Sequence, residues 1–109
     1  MMIETHAKNG YLLVKITAKE ANLDVSDQFK TEMFELIDQG NKTLMVSFSE
    51  VAYVDSSFLG ALVSVLKYAM SKEGDVSVVD LNKDINNLFS LIRMNKVFKV
   101  YNTEPDVFA

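Results

Sequence analysis

The chain has no cysteine, one histidine, one proline and four glycines among its 109 residues. Without cysteine there can be no disulfide, no thiolate metal ligand and no cysteine nucleophile. Clustered positive charge is missing as well: the formal net charge is −4 and no run of Lys and Arg occurs. Nucleic acids and anionic membranes are recognised through such clusters, so neither is expected as a partner. No apolar run reaches the ~20 residues that cross a bilayer. The longest apolar-rich segment, 58–70, is broken by Ser64 and Lys67. The opening Met1-Met2-Ile3-Glu4 lacks a basic stretch followed by an apolar one, so no secretory leader is read. A cytoplasmic protein is expected.

What is present suits one compact domain over residues 1–109. Hydrophobic residues make up 49% of the chain. A domain of this length buries roughly two-thirds of its unfolded surface, enough for a core without cross-links. Residues 3–6 and 11–17 read as strands joined by Asn9-Gly10, a hairpin signal because both residues tolerate positive φ. Residues 24–39 read as a helix capped by Asp24 or Ser26, with Phe29, Met33, Leu36 and Ile37 at helical spacing and Gly40 beyond its end. Residues 43–49 alternate as a strand, and 50–54 form a loop. The next helix runs from Asp55-Ser56-Ser57 to Lys72 and is closed by Gly74. Residues 76–81 read as a strand buried on both faces. Asn82 caps a helix carrying Ile85, Leu88, Phe89 and Ile92 that ends at Asn95, and 97–101 form a last strand. Thr103-Glu104-Pro105 reads as the start of a terminal helix. Strands alternating with helices imply parallel βαβ units. The fold class is therefore α/β: a mixed, mainly parallel sheet with an N-terminal β-hairpin and helices packed beside it.

The most informative stretch is Val54-Asp55-Ser56-Ser57-Phe58-Leu59-Gly60-Ala61-Leu62. It joins a strand to a helix, at the carboxyl edge of the sheet where ligands and partners gather. Amides without intrahelical partners, together with the macrodipole, make such a helix start tolerant of an anion or phosphate. Taken alone, Asp55 and Ser56 also fit plain helix caps. On a helical wheel Leu59, Leu62, Val63, Leu66 and Met70 form a core stripe, and Phe58, Ala61, Val65 and Tyr68 form a second one beside it. The second stripe is either a widening of the buried face or an exposed strip for a partner. Phe58 lies ~100° around the helix from Leu59, which places it at the docking edge on the second reading.

Asp55-Ser56-Ser57-Phe58-Leu59-Gly60 resembles the Asp-Ser-Ser-Gly-Leu-Gly signature of the STAS family, with Phe58 in place of the first glycine. Asn22-Leu23-Asp24 resembles the leucine–aspartate pair that opens the family's first helix. Leu88-Phe89 to Val97-Phe98 resembles its third helix and the return to the last strand. The resemblance covers nearly the whole chain in element order. It implies a bacterial anti-sigma factor antagonist whose partner is an anti-sigma factor that is itself a serine kinase. It further implies phosphorylation at Ser56, and a partner surface of Asp24, Asp55, Ser56, Ser57, Phe58, Gly60 and Ala61. No cofactor is implied, and a monomer or weak dimer is expected. Within the same family, a non-phosphorylated scaffold subunit of a transport or stress-sensing complex is the alternative.

Two other classes fit poorly. A receiver domain needs acidic residues at the end of its first strand to hold magnesium, and only Glu4 is available there. A serine hydrolase needs a base within hydrogen-bond reach of its nucleophile. The lone His6 sits in the first strand as a surface or strand-packing residue, and no Gly-x-Ser-x-Gly elbow occurs. No Gly-rich phosphate loop occurs either, so ATP belongs to the partner. An enzyme is not expected.

Overall fold

The structure, a computed structural model, describes residues 2–102. Strands β1 (Ile3–Lys8) and β2 (Tyr11–Ile16) form an antiparallel hairpin, from Ile3 opposite Ile16 to Lys8 opposite Tyr11. At its turn only Gly10 takes positive φ, at 93°. There follow β3 (Glu20–Ala21), α1 (Leu23–Asp38), β4 (Thr43–Ser47), β5 (Tyr53–Val54) and α2 (Ser56–Ser71). The chain continues through β6 (Asp75–Val79), α3 (Lys83–Leu91), a 3-10 turn at Met94–Lys96 and β7 (Val100–Tyr101). The main sheet has the order β1-β2-β4-β6-β7, with every pair after the hairpin parallel. The sequence reading of a mixed, mainly parallel sheet behind an N-terminal hairpin describes this architecture.

Strand periodicity places the core. Val14, Val46, Val78 and Val100 are successive partners across four strands. This row belongs to the large cluster that includes Phe29 and Met33 of α1 and Phe58, Leu62 and Val65 of α2. Residues one step along the strands point to the other face. There Leu13, Met45 and Val79 join Tyr11 in a second, smaller cluster.

Several element ends differ from the sequence reading, each for a local reason. The N-cap of α1 is Asn22, not Asp24 or Ser26: its Oδ1 accepts the Asp24 N–H at 3.0 Å, while the Ser26 hydroxyl donates to the Asn22 carbonyl. At the other end of α1, Gly40 N–H reaches Ile37 O and Asn41 N–H reaches Leu36 O, with Gly40 at φ 101°, a Schellman motif. At the end of α2 the left-handed residue is Glu73 (φ 65°), one place before Gly74. Gly74 is required for a different reason, since a Cβ there would lie 2.6 Å from the Lys42 carbonyl oxygen. Strand β6 stops at Val79 because Asp80 turns to φ 62°. Arg93, at φ 64°, ends α3 before Asn95, and β7 is cut to two residues. The expected start of a terminal helix at Thr103 lies outside the described residues.

The loop read over 50–54 contains β5. It pairs in parallel with β3, Glu20 opposite Tyr53 and Ala21 opposite Val54, as a separate two-stranded ladder. This ladder brings the segment entering α1 beside the segment entering α2.

Candidate functional site

The β3–β5 ladder leaves both chains at helix starts. The Asp55 N–H donates to the Ala21 carbonyl at 3.1 Å, which fixes the last residue before α2 against the chain entering α1. Asp55 then takes extended backbone (φ −113°, ψ 175°) as the N-cap of α2. Its Oδ1 accepts the Phe58 N–H at 2.9 Å. Its Oδ2 accepts the Leu23 N–H, the first amide of α1, also at 2.9 Å. One carboxylate therefore caps its own helix and also the first residue of α1, 32 positions earlier in the chain. Each helix start carries about half a positive charge from its aligned peptides, and the carboxylate lies where both ends favour an anion.

Ser56 is the first residue of α2 and is exposed; Ser57 follows it, also exposed. The Phe58 amide is satisfied by Asp55 Oδ1, and the Leu59 amide by the Asp55 carbonyl. That leaves the Ser56 and Ser57 amides to water or to an incoming acceptor. Asp24 is exposed in the first turn of α1, next to the Leu23 amide that Asp55 holds. Gly60 is exposed one turn further along α2, and a Cβ there would meet nothing within 4 Å. Internal packing therefore gives no reason for glycine at this position, although mid-helix glycine costs roughly 0.5–1 kcal/mol relative to alanine. Asp24, Asp55, Ser56, Ser57 and Gly60 thus share one end of the molecule.

Phe58 and Ala61 do not belong to that surface. Phe58 is fully buried, Ala61 is 9% exposed and Val65 is fully buried. The reading of Phe58 as an exposed docking anchor is corrected: its ring lies 4.6 Å, centroid to centroid, from that of Phe29 on α1. The second stripe faces α1, as the stacking of Tyr68 on Phe34 at 4.2 Å also shows. Met70, assigned to the core stripe, is instead 61% exposed. The Tyr68 hydroxyl donates to Asp38 of α1, and this bond to a carboxylate holds the phenol pKa above its ordinary value. His6 is a surface residue, 4.0 Å from Glu4.

The sequence reading quoted Asn22 and Leu23 only for their family resemblance and gave Tyr53 no role at this end. Asn22 caps α1. Leu23 and Tyr53 are large apolar side chains left 68% and 57% exposed. An apolar residue immediately after a cap, as at Leu23, was the available signal.

The family profile described as "Mlab, STAS domain" matches residues 18–101. The chain belongs to this family. That range runs from just before β3 to the end of β7 and includes every element of the double cap. Among STAS relatives, the chain is 28% identical over 93 residues to a Thermotoga maritima protein named as a candidate anti-sigma factor antagonist, covering 84% of this chain and 82% of that protein. It is 26% identical over 110 residues to the anti-sigma F factor antagonist of Paenibacillus polymyxa, covering 100% of this chain and 93% of that protein. The fold also aligns with the anti-sigma factor antagonist SpoIIAA in its unphosphorylated form (TM-score 0.72, 12% identity, 95% of this chain and 91% of that one). It aligns equally with phosphorylated SpoIIAA from Bacillus (TM-score 0.70, 13% identity, 96% of each chain). No helix among the described residues is long and apolar enough to cross a membrane.

Proposed function

We propose that this STAS domain is an anti-sigma factor antagonist that holds a serine-kinase anti-sigma factor while Ser56 is unmodified and releases it once Ser56 is phosphorylated. The observation that carries this reading is the exposed Ser56 hydroxyl at the head of α2, on a helix start whose inner amides Asp55 already satisfies. The names of the two curated relatives support the antagonist role, and the existence of phosphorylated and unphosphorylated SpoIIAA supports a switch.

The physics of the switch is local. Ser56 Oγ takes the γ-phosphoryl group of the partner's ATP, loses its proton, and leaves ADP on the partner. The phosphate adds ~1.5–2 negative charges at neutral pH. The helix start tolerates that charge through the Ser56 and Ser57 amides, so the fold is retained. The partner does not tolerate it, because the nucleotide that delivered the phosphoryl group must face Ser56 and its remaining phosphates are anionic. Like charges ~4 Å apart at an effective dielectric of about 20 repel by ~4 kcal/mol before relaxation and screening. A third of that energy is about a tenfold loss of affinity. The open surface at Gly60 lets the partner approach the first turns of α2 closely.

Co-purification of the tagged chain from its native cell, followed by identification of what is bound, tests the reading. A histidine-kinase-like ATPase that binds the unmodified chain and loses it after phosphorylation is the expected result. Recovery of a membrane transporter subunit, with Ser56 unmodified throughout, overturns it.

A further inference from the structure

Beside Ser56 lies a groove of about 200 Å³ lined by Ala52, Tyr53, Val54, Asp84, Ile85 and Leu88. Its floor is apolar, with Val54 and Ile85 buried. Its walls are Tyr53, 57% exposed, and Leu88, half-buried. The two sides are braced: Asn82, the N-cap of α3, accepts the Ile85 N–H and donates to the carbonyls of Val51 and Ala52 at 3.2 and 3.3 Å. The groove is therefore preformed, and the segment that lines one side of it, 52–54, leads directly into Asp55 and Ser56.

Exposed carboxylates lie at its rim and at the adjoining helix start. Asp84 is on the rim, Glu20 is the ladder partner of Tyr53, and Asp24 and Asp27 lie in the opening turns of α1. All four are exposed, and none is in an ion pair among the described residues. The opposing cations in the adjoining chain segments are Lys19 and Lys83.

We propose that the groove receives one apolar side chain of the anti-sigma factor, flanked on that partner by Lys or Arg side chains that face Asp84 and Glu20. This inference rests on the antagonist reading and adds the chemistry of the contact. An apolar floor with a polar rim is the anatomy of a site where one buried anchor supplies most of the affinity. Unpaired carboxylates on the rim steer a basic surface and speed its association. The cations meet the rim of the groove, away from the nucleotide that must face Ser56. Attraction at Asp84 and repulsion at a phosphorylated Ser56 therefore act on different parts of the partner.

The test uses the purified full chain and the purified serine-kinase anti-sigma factor from the same cell, with association and dissociation rates measured over a salt series. The variants are Tyr53→Ala, Asp84→Lys and Ser56→Asp, each checked for an unchanged melting curve. Tyr53→Ala is expected to raise Kd about tenfold or more, chiefly through faster dissociation. Asp84→Lys, at an exposed position, is expected to slow association and flatten its salt dependence. If both variants bind within about twofold of the unmodified chain while Ser56→Asp binds weakly, the groove proposal is overturned and the antagonist reading stands. If the unmodified chain does not bind, or Ser56→Asp binds equally well, the antagonist reading fails and takes the groove with it.

Discussion

The carboxylate of Asp55 accepts the backbone N–H of Leu23 at 2.9 Å, and so the residue that begins α2 also holds the beginning of α1. Its other oxygen caps its own helix at Phe58. The signature aspartate is thus a structural tie at the point where Ser56 is displayed.

Removing that tie is expected to destabilise the domain by roughly 1–3 kcal/mol, since a single lost cap costs about 0.5–2. Asp55→Ala removes both bonds. Asp55→Asn keeps one oxygen for one helix but turns an N–H₂ towards the other amide, and is expected to fall between wild type and Asp55→Ala. Chemical denaturation of the two variants checks this order. Asn matching Asp would show that only one of the two caps matters.

Phe58 is expected to behave as a core residue. Its truncation to alanine beside Phe29 should cost ~3–5 kcal/mol. In a domain of this size each kcal/mol lowers Tm by about 4–8 °C. Phe58→Leu keeps most of the volume and should lose less. An unchanged Tm in Phe58→Ala combined with lost partner binding would return the residue to the docking surface.

Neighbouring substitutions at the end of α2 are expected to have opposite signs. Glu73 sits at φ 65°, where an L-residue is disfavoured. Glu73→Gly should therefore stabilise by about 0.5–1 kcal/mol after the entropy cost of glycine. Gly74→Ala should destabilise by roughly 1–3 kcal/mol, because its Cβ meets the backbone oxygen of Lys42 and backbone cannot step aside cheaply. Melting curves of the two single variants decide it.

Phosphorylation is expected at Ser56 rather than Ser57. Incubation with the partner kinase and ATP, followed by peptide mass spectrometry, reads the position directly. Ser56→Ala should abolish the modification and keep binding, since it removes only a hydroxyl. Ser56→Asp should weaken binding by less than the phosphate does, because it carries about half the charge. Modification confined to Ser57 would show that the register of the site is one residue off.

Much of this protein is legible in its residues. Asn9-Gly10 marks the hairpin, because glycine there supplies the positive φ the turn requires. The alternating apolar residues Val14 and Ile16 of β2, Leu44 and Val46 of β4, and Val76 and Val78 of β6 mark strands whose facing sides form the core. Asp55-Ser56 at a strand-to-helix junction marks an exposed helix start, since caps and first-turn residues belong to the surface end of a helix. These are short-range signals: each depends on a few adjacent residues and their backbone preferences.

The rest depends on which elements become neighbours. The β3–β5 ladder has two residues on each strand, too few to show any period. It exists because the segments entering α1 and α2 lie side by side. Left-handed Glu73 and Arg93 carry no glycine to announce them; both are exposed, and their amides donate to Met70 O and Ser90 O at the helix ends. Helical spacing says that Phe58, Ala61 and Val65 share a stripe, but it cannot say what covers the stripe. In the fold α2 meets both β6 and α1, so its buried face is wider than one contact would make it, and Phe58 turns inward against Phe29. The sequence by itself determined the strands of the main sheet, the helices and the serine at the head of α2. The tertiary structure decided that Asp55 ties two helices together, that Phe58 is core, and that a groove opens between Tyr53 and Leu88, because each of these depends on contacts between residues about thirty or more positions apart.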